Sequence, residues 1–121
     1  MGVPRPEPSD SPDGTGEAFK DYRSHVEAGL GRVGKSTLYR SPHLLLGLNC
    51  LEAGVAQSLH THEGQDKFYF VLEGKGEFTV GDELREVDAG HVVWARANAV
   101  HGVRNRGPAR LVLLVGIAPA P

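Results

Sequence analysis

The chain has 121 residues, which is enough for one domain of ordinary size and too few for two. Its formal net charge of −2 gives no basic excess, so we predict neither a nucleic-acid partner nor an anionic membrane surface. Sixteen glycines and eight prolines favour short strands joined by tight turns over long helices.

The first 35 residues divide into two parts. Residues 1–16 hold Pro, Gly, Ser and Asp with almost no apolar side chains, which predicts a disordered tail. Residues 17–35 carry four apolar side chains at helix-like spacing and are predicted to pack on the rest of the chain as a short helix or an irregular segment. An apolar signal core is absent and the run 111–115 is too short to span a bilayer, so we expect a cytoplasmic protein.

Residues 29–36 (GLGRVGKS) match the letters of a phosphate-binding loop. Such a loop needs a buried strand before it and a helix after it, so that backbone N–H groups at the helix start can hold phosphates. The preceding residues 20–25 do not form a core strand pattern, and Pro42 would break a following helix in its second turn. We therefore predict a glycine-rich connector and no nucleotide site.

From residue 36 onward the pattern becomes that of strands and turns, and we assign 36–121 to one all-β barrel or sandwich. Nine strand-like runs are separated by turn signals: 37–40, 43–52, 55–62, 67–73, 76–80, 84–87, 91–95, 99–104 and 110–117. Two of them, 68–72 and 111–115, are apolar on both faces, whereas a sheet with one wet face should alternate. Either the segment 17–35 or a second subunit must cover the outer face, and we predict a homodimer.

Three histidines are the most informative polar residues. His60 and His62 are two apart and would project from the same face of a strand, and His101 comes forty residues later in another strand-like run. Three neutral imidazoles that converge suit one divalent transition metal ion: Fe²⁺, Mn²⁺, Co²⁺, Ni²⁺, Cu²⁺ or Zn²⁺. The other histidines (25, 43 and 91) are expected to be surface or packing residues and not ligands, and Cys50 is expected to be a buried, inert thiol.

The surroundings of these histidines resemble the two motifs of the cupin superfamily. The first motif, G-x5-H-x-H-x(3,4)-E-x6-G, and the second, G-x5-P-x-G-x2-H-x3-N, match at seven positions: Gly54, His60, His62, Gly74, Gly90, His101 and Asn105. The chain is most similar to small single-domain cupins of the "cupin 2" type. This resemblance implies a double-stranded β-helix, that is a jelly-roll barrel, with a short N-terminal extension and a metal bound by the three histidines.

The chain departs from the first motif at the fourth metal ligand, because Lys67 stands where the family has glutamate. An ammonium group cannot donate a lone pair to a metal ion. The fourth position is then open to Gln65, to Asp66 (whose strand parity points it away), or to water. Lys67 itself could hold an anionic substrate beside the metal, or pair with Asp66 or Glu73 at the barrel mouth.

The second motif differs at two turn positions. Arg96 replaces proline and could face a carboxylate substrate or solvent, while Asn98 replaces glycine and can adopt the left-handed conformation. Tyr69 shares the inward parity of Lys67 and could donate a hydrogen bond in the pocket or fill the core.

Two functions fit these features. The resemblance to cupin thiol dioxygenases implies a metal-dependent oxygenase or isomerase, with Lys67 and Tyr69 as candidate catalytic residues and a small anionic or carbonyl compound as substrate. The alternative is a non-catalytic cupin that holds a small ligand or a metal ion without turnover, since one fold hosts many chemistries.

Overall fold

The computed structural model describes residues 17–121, and the predicted tail 1–16 lies outside the described residues. Within residues 17–121, a 3-10 turn, Tyr22–His25, is followed by nine strands. The strands are β1 Gly34–Arg40, β2 Leu45–Leu51, β3 Ala56–His60, β4 Asp66–Glu73, β5 Lys75–Val80, β6 Glu83–Asp88, β7 Val92–Ala95, β8 His101–Arg104 and β9 Leu111–Ala118. Each overlaps one of the nine predicted runs, so the all-β prediction is confirmed.

The strands form two antiparallel sheets. One has five strands in the order β1-β2-β9-β4-β7, and the other has four in the order β3-β8-β5-β6. Neighbours in each sheet are mostly distant in sequence, as in a double-stranded β-helix, and only the pairs β1-β2 and β5-β6 are simple hairpins. The core lies between the two sheets. The inward side chains of β4 and β9 pack there with inward side chains from the other strands of their own sheet and from the four-stranded sheet.

Strand β9 shows how the alternating pattern builds this core. Its inward side chains are buried aliphatic residues that belong to the core cluster, and its outward side chains are also apolar. The neighbouring strands β2 and β4 pair with β9 along its length and share this two-sided apolar character. The outer face of the five-stranded sheet is therefore apolar across its centre.

Two turns depend on left-handed backbone conformations. Gly74, between β4 and β5, has φ +85°, and a Cβ there would overlap the carbonyl oxygen of Arg110. Asn98, before β8, has φ 67°, which confirms the conformation predicted for it.

Asn105 ties the end of β8 to two other segments. It is fully buried, and its side-chain amide donates to the carbonyl oxygens of Leu51 at 2.8 Å and Ala109 at 2.9 Å. Its side-chain oxygen accepts from the Gly107 N–H at 3.0 Å. The asparagine of the second motif thus has a structural role, since it closes the loop between β8 and β9.

The segment before β1 packs by hydrogen bonds at its edge of the barrel. The Tyr22 hydroxyl donates to Glu73 at 2.8 Å, the Ser36 hydroxyl donates to the His25 carbonyl at 2.6 Å, and the Tyr39 hydroxyl donates to the Ala18 carbonyl at 2.8 Å. Residues 29–36 lead into strand β1 and no helix follows, which agrees with the rejection of a phosphate-binding loop. Within residues 17–121, no helical segment has the length and hydropathy to cross a membrane.

Candidate metal centre

Three histidines meet at one end of the four-stranded sheet, at the edge formed by β3 and β8. His60 is the last residue of β3 and pairs across the sheet with His101, the first residue of β8. The ligand nitrogens of these two residues and of His62 all lie within 4.8 Å of one another. No other group of three such residues comes together within the described part of the chain.

His62 reaches this site from a loop, because β3 ends at His60 and not at residue 62 as the sequence predicts. The Asn98 N–H donates to the His62 carbonyl oxygen at 3.1 Å, so the left-handed turn before β8 holds the loop after β3. The His62 ring lies nearly parallel to that of His101, with 5.3 Å between centroids. The structure therefore brings together the two histidines that the parity argument paired, although only His60 lies in the strand.

Backbone carbonyls set the orientation of two of the rings. Nδ1 of His60 lies 2.7 Å from the Ser58 carbonyl oxygen, and Nδ1 of His101 lies 2.9 Å from that of Ala99. A carbonyl oxygen only accepts, so Nδ1 is the donor in each ring, and in the neutral ring Nε2 is the nitrogen with a free lone pair. This is the tautomer that metal-binding histidines adopt when their second nitrogen is held by a backbone oxygen.

Two nitrogens at the site are buried without a hydrogen-bond partner: Nε2 of His62 and Nε2 of His101. They are the only buried side-chain nitrogen or oxygen atoms in this condition among residues 17–121. Burying an unpaired polar atom costs about 1–3 kcal/mol of folding free energy, and a ligand bound to these two nitrogens would offset that cost.

The site favours neutral imidazoles. Burial lowers the pKa of His101 to about 4, and the charges of His60, Lys67 and His62 act in the same direction. Burial also lowers the pKa of His62, with further lowering by Lys67 and His60 and an opposing effect of the neighbouring Gln65 amide. Neutral rings with free Nε2 lone pairs are what a divalent cation requires.

The three imidazole rings fit one metal ion if their ligand nitrogens move slightly closer together. Metal–nitrogen bonds of about 2.1 Å put ligand nitrogens about 3–3.5 Å apart. The widest spacing here is 4.8 Å, so each ring needs to shift by about 1 Å or less. The donor set, the tautomers and the orphaned nitrogens all suit the group that the fold implies.

The two side chains predicted as a possible fourth ligand differ in their hydrogen-bond partners and in their proximity to the histidines. The Gln65 side-chain amide donates to the Pro119 carbonyl oxygen at 3.0 Å, and the same side chain is close enough to His62 to affect its pKa. The Asp66 carboxylate accepts from the Ala97 N–H at 2.9 Å and does not belong to the histidine group. Gln65 as a ligand stays a prediction, and Asp66 points away as its parity indicates.

Lys67 faces the barrel interior and is only 3% exposed. Its Nζ lies 4.8 Å from the centroid of the Tyr69 ring. Burial, followed by the charge of Lys35, lowers the Lys67 pKa to about 8. The predicted alternative, an ion pair at the barrel mouth, is wrong for both partners: Asp66 accepts from a backbone N–H, and Glu73 pairs with Arg110 at 3.1 Å.

Tyr69 lies close to both Lys67 and His101. Its ring centroid is 6.3 Å from that of His101, and its hydroxyl donates to Oε1 of Gln57 at 3.0 Å. The side chain is fully buried, and burial raises the pKa of its hydroxyl. Tyr69 is therefore a protonated donor whose hydrogen bond is already used to orient Gln57.

The remaining candidates lie away from the site. Arg96 is exposed in the turn before Asn98, and His43 and His91 are on the surface. His25 is half-buried in the segment before β1, and Cys50 is buried with its pKa raised, first by burial.

Two polar residues near the site were missed by the sequence reasoning. Asn49 on β2 is 6% exposed, and Gln57 on β3 accepts from Tyr69; both line an interior cavity together with Lys67. A polar residue with inward parity in an otherwise apolar strand, as in the run 44–51, was the available signal for Asn49.

Comparisons with known proteins agree with this fold. The family model described as a cupin domain matches residues 47–116. A Streptomyces coelicolor protein is 35% identical over 80 residues, which cover 66% of this chain and 75% of that protein. An oxalate-binding protein of Thermotoga maritima is 27% identical over 100 residues, covering 78% of this chain and 82% of that one.

Solved structures show the same architecture. A Thermus thermophilus protein superposes with a TM-score of 0.83 and 36% identity, covering 87% of this chain and all of that one. A Klebsiella pneumoniae protein with a double-stranded β-helix domain gives a TM-score of 0.80 at 20% identity, covering 85% and 90%, which supports the fold alone. The fold and the three-histidine group define a cupin barrel that could hold a metal ion, and the chain belongs to the cupin family.

Proposed function

We propose that His60, His62 and His101 bind one divalent transition metal ion (Fe, Mn, Co, Ni, Cu or Zn), and that the protein is a metal-dependent oxygenase or isomerase. Its substrate is a small anionic or carbonyl compound. The observation that carries this proposal is the pair of buried Nε2 atoms, on His62 and His101, that have no hydrogen-bond partner.

Three neutral ligands would leave the full charge of the ion to attract an anion and to deprotonate a bound acid or thiol. The protein's own residues shape that environment. Lys67 adds a second positive charge on the interior side, and the Tyr69 hydroxyl stays protonated because burial raises its pKa. Tyr69 thus positions its hydrogen-bond partner and does not act as a base.

Metal content tests the ligand assignment directly. We expect the purified protein, or protein refilled with Fe²⁺ or Ni²⁺ after chelation, to hold about one ion per chain by plasma mass spectrometry. The substitutions His60→Ala and His101→Ala should each lower affinity at least about tenfold, while His43→Ala, at an exposed histidine, should not change it. Full metal content in the doubly substituted His60→Ala/His101→Ala protein would overturn the assignment.

Turnover is tested with the metal-loaded protein. Oxygen uptake with a panel of thiols, diketones and phenols, and proton exchange in small hydroxycarbonyl compounds, cover the two reaction classes. An oxygenase consumes O₂ only with its substrate present, and His101→Ala should abolish that uptake. Activity that is equal in the wild type and in His101→Ala would contradict a catalytic role of the site.

A second candidate is a non-catalytic cupin that binds a small ligand. It is favoured by the similarity to the oxalate-binding protein of Thermotoga maritima. Calorimetry with oxalate, followed by chromatography of the ligand after incubation, separates the two functions. Bound oxalate that is recovered unchanged, with no turnover of any compound in the panel, would support binding without catalysis.

We also propose that the outer face of the five-stranded sheet is a homodimer interface. The apolar side chains at its β4-β7 end are directly opposed in pairs, Phe68 with Trp94 and Phe70 with Val92. Trp94 and Val92 are 54% and 66% exposed, although apolar patches on a monomer are usually small. The hydrogen bonds of the N-terminal segment lie toward β1 and the far end of β4, so they leave this end uncovered.

Light scattering after gel filtration tests the dimer. We expect a dimer for the wild type and a monomer for Trp94→Lys. Leu84→Lys is the matched control, because Leu84 is 65% exposed but lies on β6 of the other sheet. A monomeric wild type at micromolar concentration would refute the interface. The cytoplasmic location of the protein is a separate prediction, which this experiment does not test.

A further inference from the structure

A small cavity inside the barrel lies beside the histidine group. Its volume is about 120 Å³, and it is lined by residues of β1, β2, β3, β4 and β9. Leu45, Val115 and Ile117 form its apolar part. The polar part consists of Lys35, Asn49, Gln57 and Lys67, together with two hydroxyl-bearing residues of β1.

The cavity lining is positively charged. Both of its charged residues are lysines, and no aspartate or glutamate lines it. Lys67 is 3% exposed, and over residues 17–121 it makes no ion pair with a carboxylate. A buried ammonium without an acidic partner is costly, so the cavity favours an anion.

The two amides of the cavity can supply hydrogen-bond donors. Gln57 uses its Oε1 to accept from the Tyr69 hydroxyl at 3.0 Å, which leaves its N–H groups available. Asn49 is 6% exposed, and its side chain forms none of the side-chain hydrogen bonds found within residues 17–121. An ammonium group and two amides facing one space can bind both oxygens of a carboxylate.

The cavity and the histidine group are joined by one side chain. The Tyr69 ring has Lys67 Nζ 4.8 Å from its centroid, and the His101 ring centroid 6.3 Å away. Lys67 and His101 therefore both lie close to the Tyr69 ring, which puts the cavity near the histidine group. Lys67, whose ammonium form cannot be a metal ligand, gains a role on the substrate side of the site.

We propose that this cavity is the binding site for the carboxylate end of a small organic acid of about two to four carbons, with Lys67 and Asn49 as its anchors and Gln57 as an additional donor. The size follows from the volume, since 120 Å³ corresponds to about four water molecules and drug-sized ligands need about 300 Å³ or more. This assignment rests on the proposed function, because that function supplies the metal ion that would face the other end of the acid. It adds to the proposed function the chemical class of the substrate.

The test uses the metal-free full-length protein, so that binding at the cavity is measured without coordination. Pyruvate is titrated and followed by backbone amide shifts in NMR, with pyruvamide as the uncharged analogue and citrate as an acid too large for the cavity. We expect saturable pyruvate binding, with binding by the other two at least about tenfold weaker.

Substitutions then locate the binding. Lys67→Met removes the charge and keeps an unbranched chain, and Asn49→Asp keeps the shape but puts a carboxylate into the cavity; each should weaken pyruvate binding about tenfold or more. Lys75→Met, at an exposed lysine of β5, should leave it unchanged. Either of the first two substitutions suffices if the other variant does not fold.

The outcomes separate this proposal from the metal assignment. His60→Ala should lose metal and keep pyruvate binding, because His60 does not line the cavity. Pyruvate binding in a protein that never takes up metal would support the cavity and refute the proposed function. Metal uptake without pyruvate binding, equal binding of citrate, or binding unchanged by Lys67→Met would overturn the cavity proposal alone.

Discussion

Replacing Lys67 by methionine is expected to stabilise the metal-free protein. The Lys67 side chain is 3% exposed, and burial with the charge of Lys35 lowers its pKa from 10.5 to about 8. Each pKa unit corresponds to about 1.4 kcal/mol, so the charged form costs about 3 kcal/mol in the folded state. Methionine fills a similar volume and carries no charge, and we expect a gain of about 1–3 kcal/mol in the free energy of unfolding at pH 7.

The same pKa shift predicts a pH dependence. The folded-state pKa lies below that of the unfolded chain, so between about pH 8 and 10.5 the unfolded state binds more protons. Wild-type stability attributable to Lys67 therefore rises across that window, and the Lys67→Met protein lacks this rise. The advantage of the variant is greatest at about pH 7 and disappears by about pH 10.5.

Urea denaturation at pH 7 and pH 10 measures both effects, in buffers free of small carboxylates and with a chelator present. The control is Lys75→Met, at an exposed lysine, for which we expect a change below about 0.5 kcal/mol. A Lys67→Met protein that is less stable than the wild type at pH 7, with an unchanged pH profile, would refute the reasoning.

Three further substitutions test how the barrel is held together, each by urea denaturation at pH 7. Asn105→Ala removes the donor to the buried Leu51 carbonyl and to the partly buried Ala109 carbonyl and should cost about 2–3 kcal/mol; a loss below about 0.5 kcal/mol would contradict its structural role. Gly74→Ala should lower the free energy of unfolding by at least about 2 kcal/mol more than Gly54→Ala does. Both glycines have positive φ, but only at Gly74 would the added Cβ meet a backbone oxygen; equal losses would contradict this explanation. Tyr22→Phe should cost about 1 kcal/mol or less. The Tyr22 hydroxyl and Arg110 hold the Glu73 pKa below its usual value, so this cost should shrink as the pH falls from the ordinary carboxyl pKa through the lowered Glu73 pKa; a cost at pH 2 as large as at pH 7 would contradict this.

Much of the fold was predictable because its strands are short, apolar and separated by turn residues. All nine runs became strands, and the left-handed turn at Asn98 was also predicted. The boundaries were less accurate near the site. The run 55–62 ends as a strand at His60, because the next residues turn away to meet the loop held by Asn98.

Residue type and motif spacing were enough to predict which residues form the candidate site, but not their contacts. Spacing identified His60, His62 and His101, and parity put Lys67 and Tyr69 on the inner face. Spacing carries no information about hydrogen-bond partners, so it left the partner of Lys67 open and did not reveal Gln57 or Asn49. Those depend on which strands become neighbours.

The sequence alone determined the class of fold, the three histidines and the break in the family pattern at Lys67, because alternation and motif spacing are local properties of the chain. Tertiary structure decided that Lys67 is buried without an acid and faces a 120 Å³ cavity, and that two imidazole nitrogens are left without partners. The physical reason is that burial and hydrogen bonding are set by strands far apart in sequence, as with His60 and His101, which pair across about forty residues.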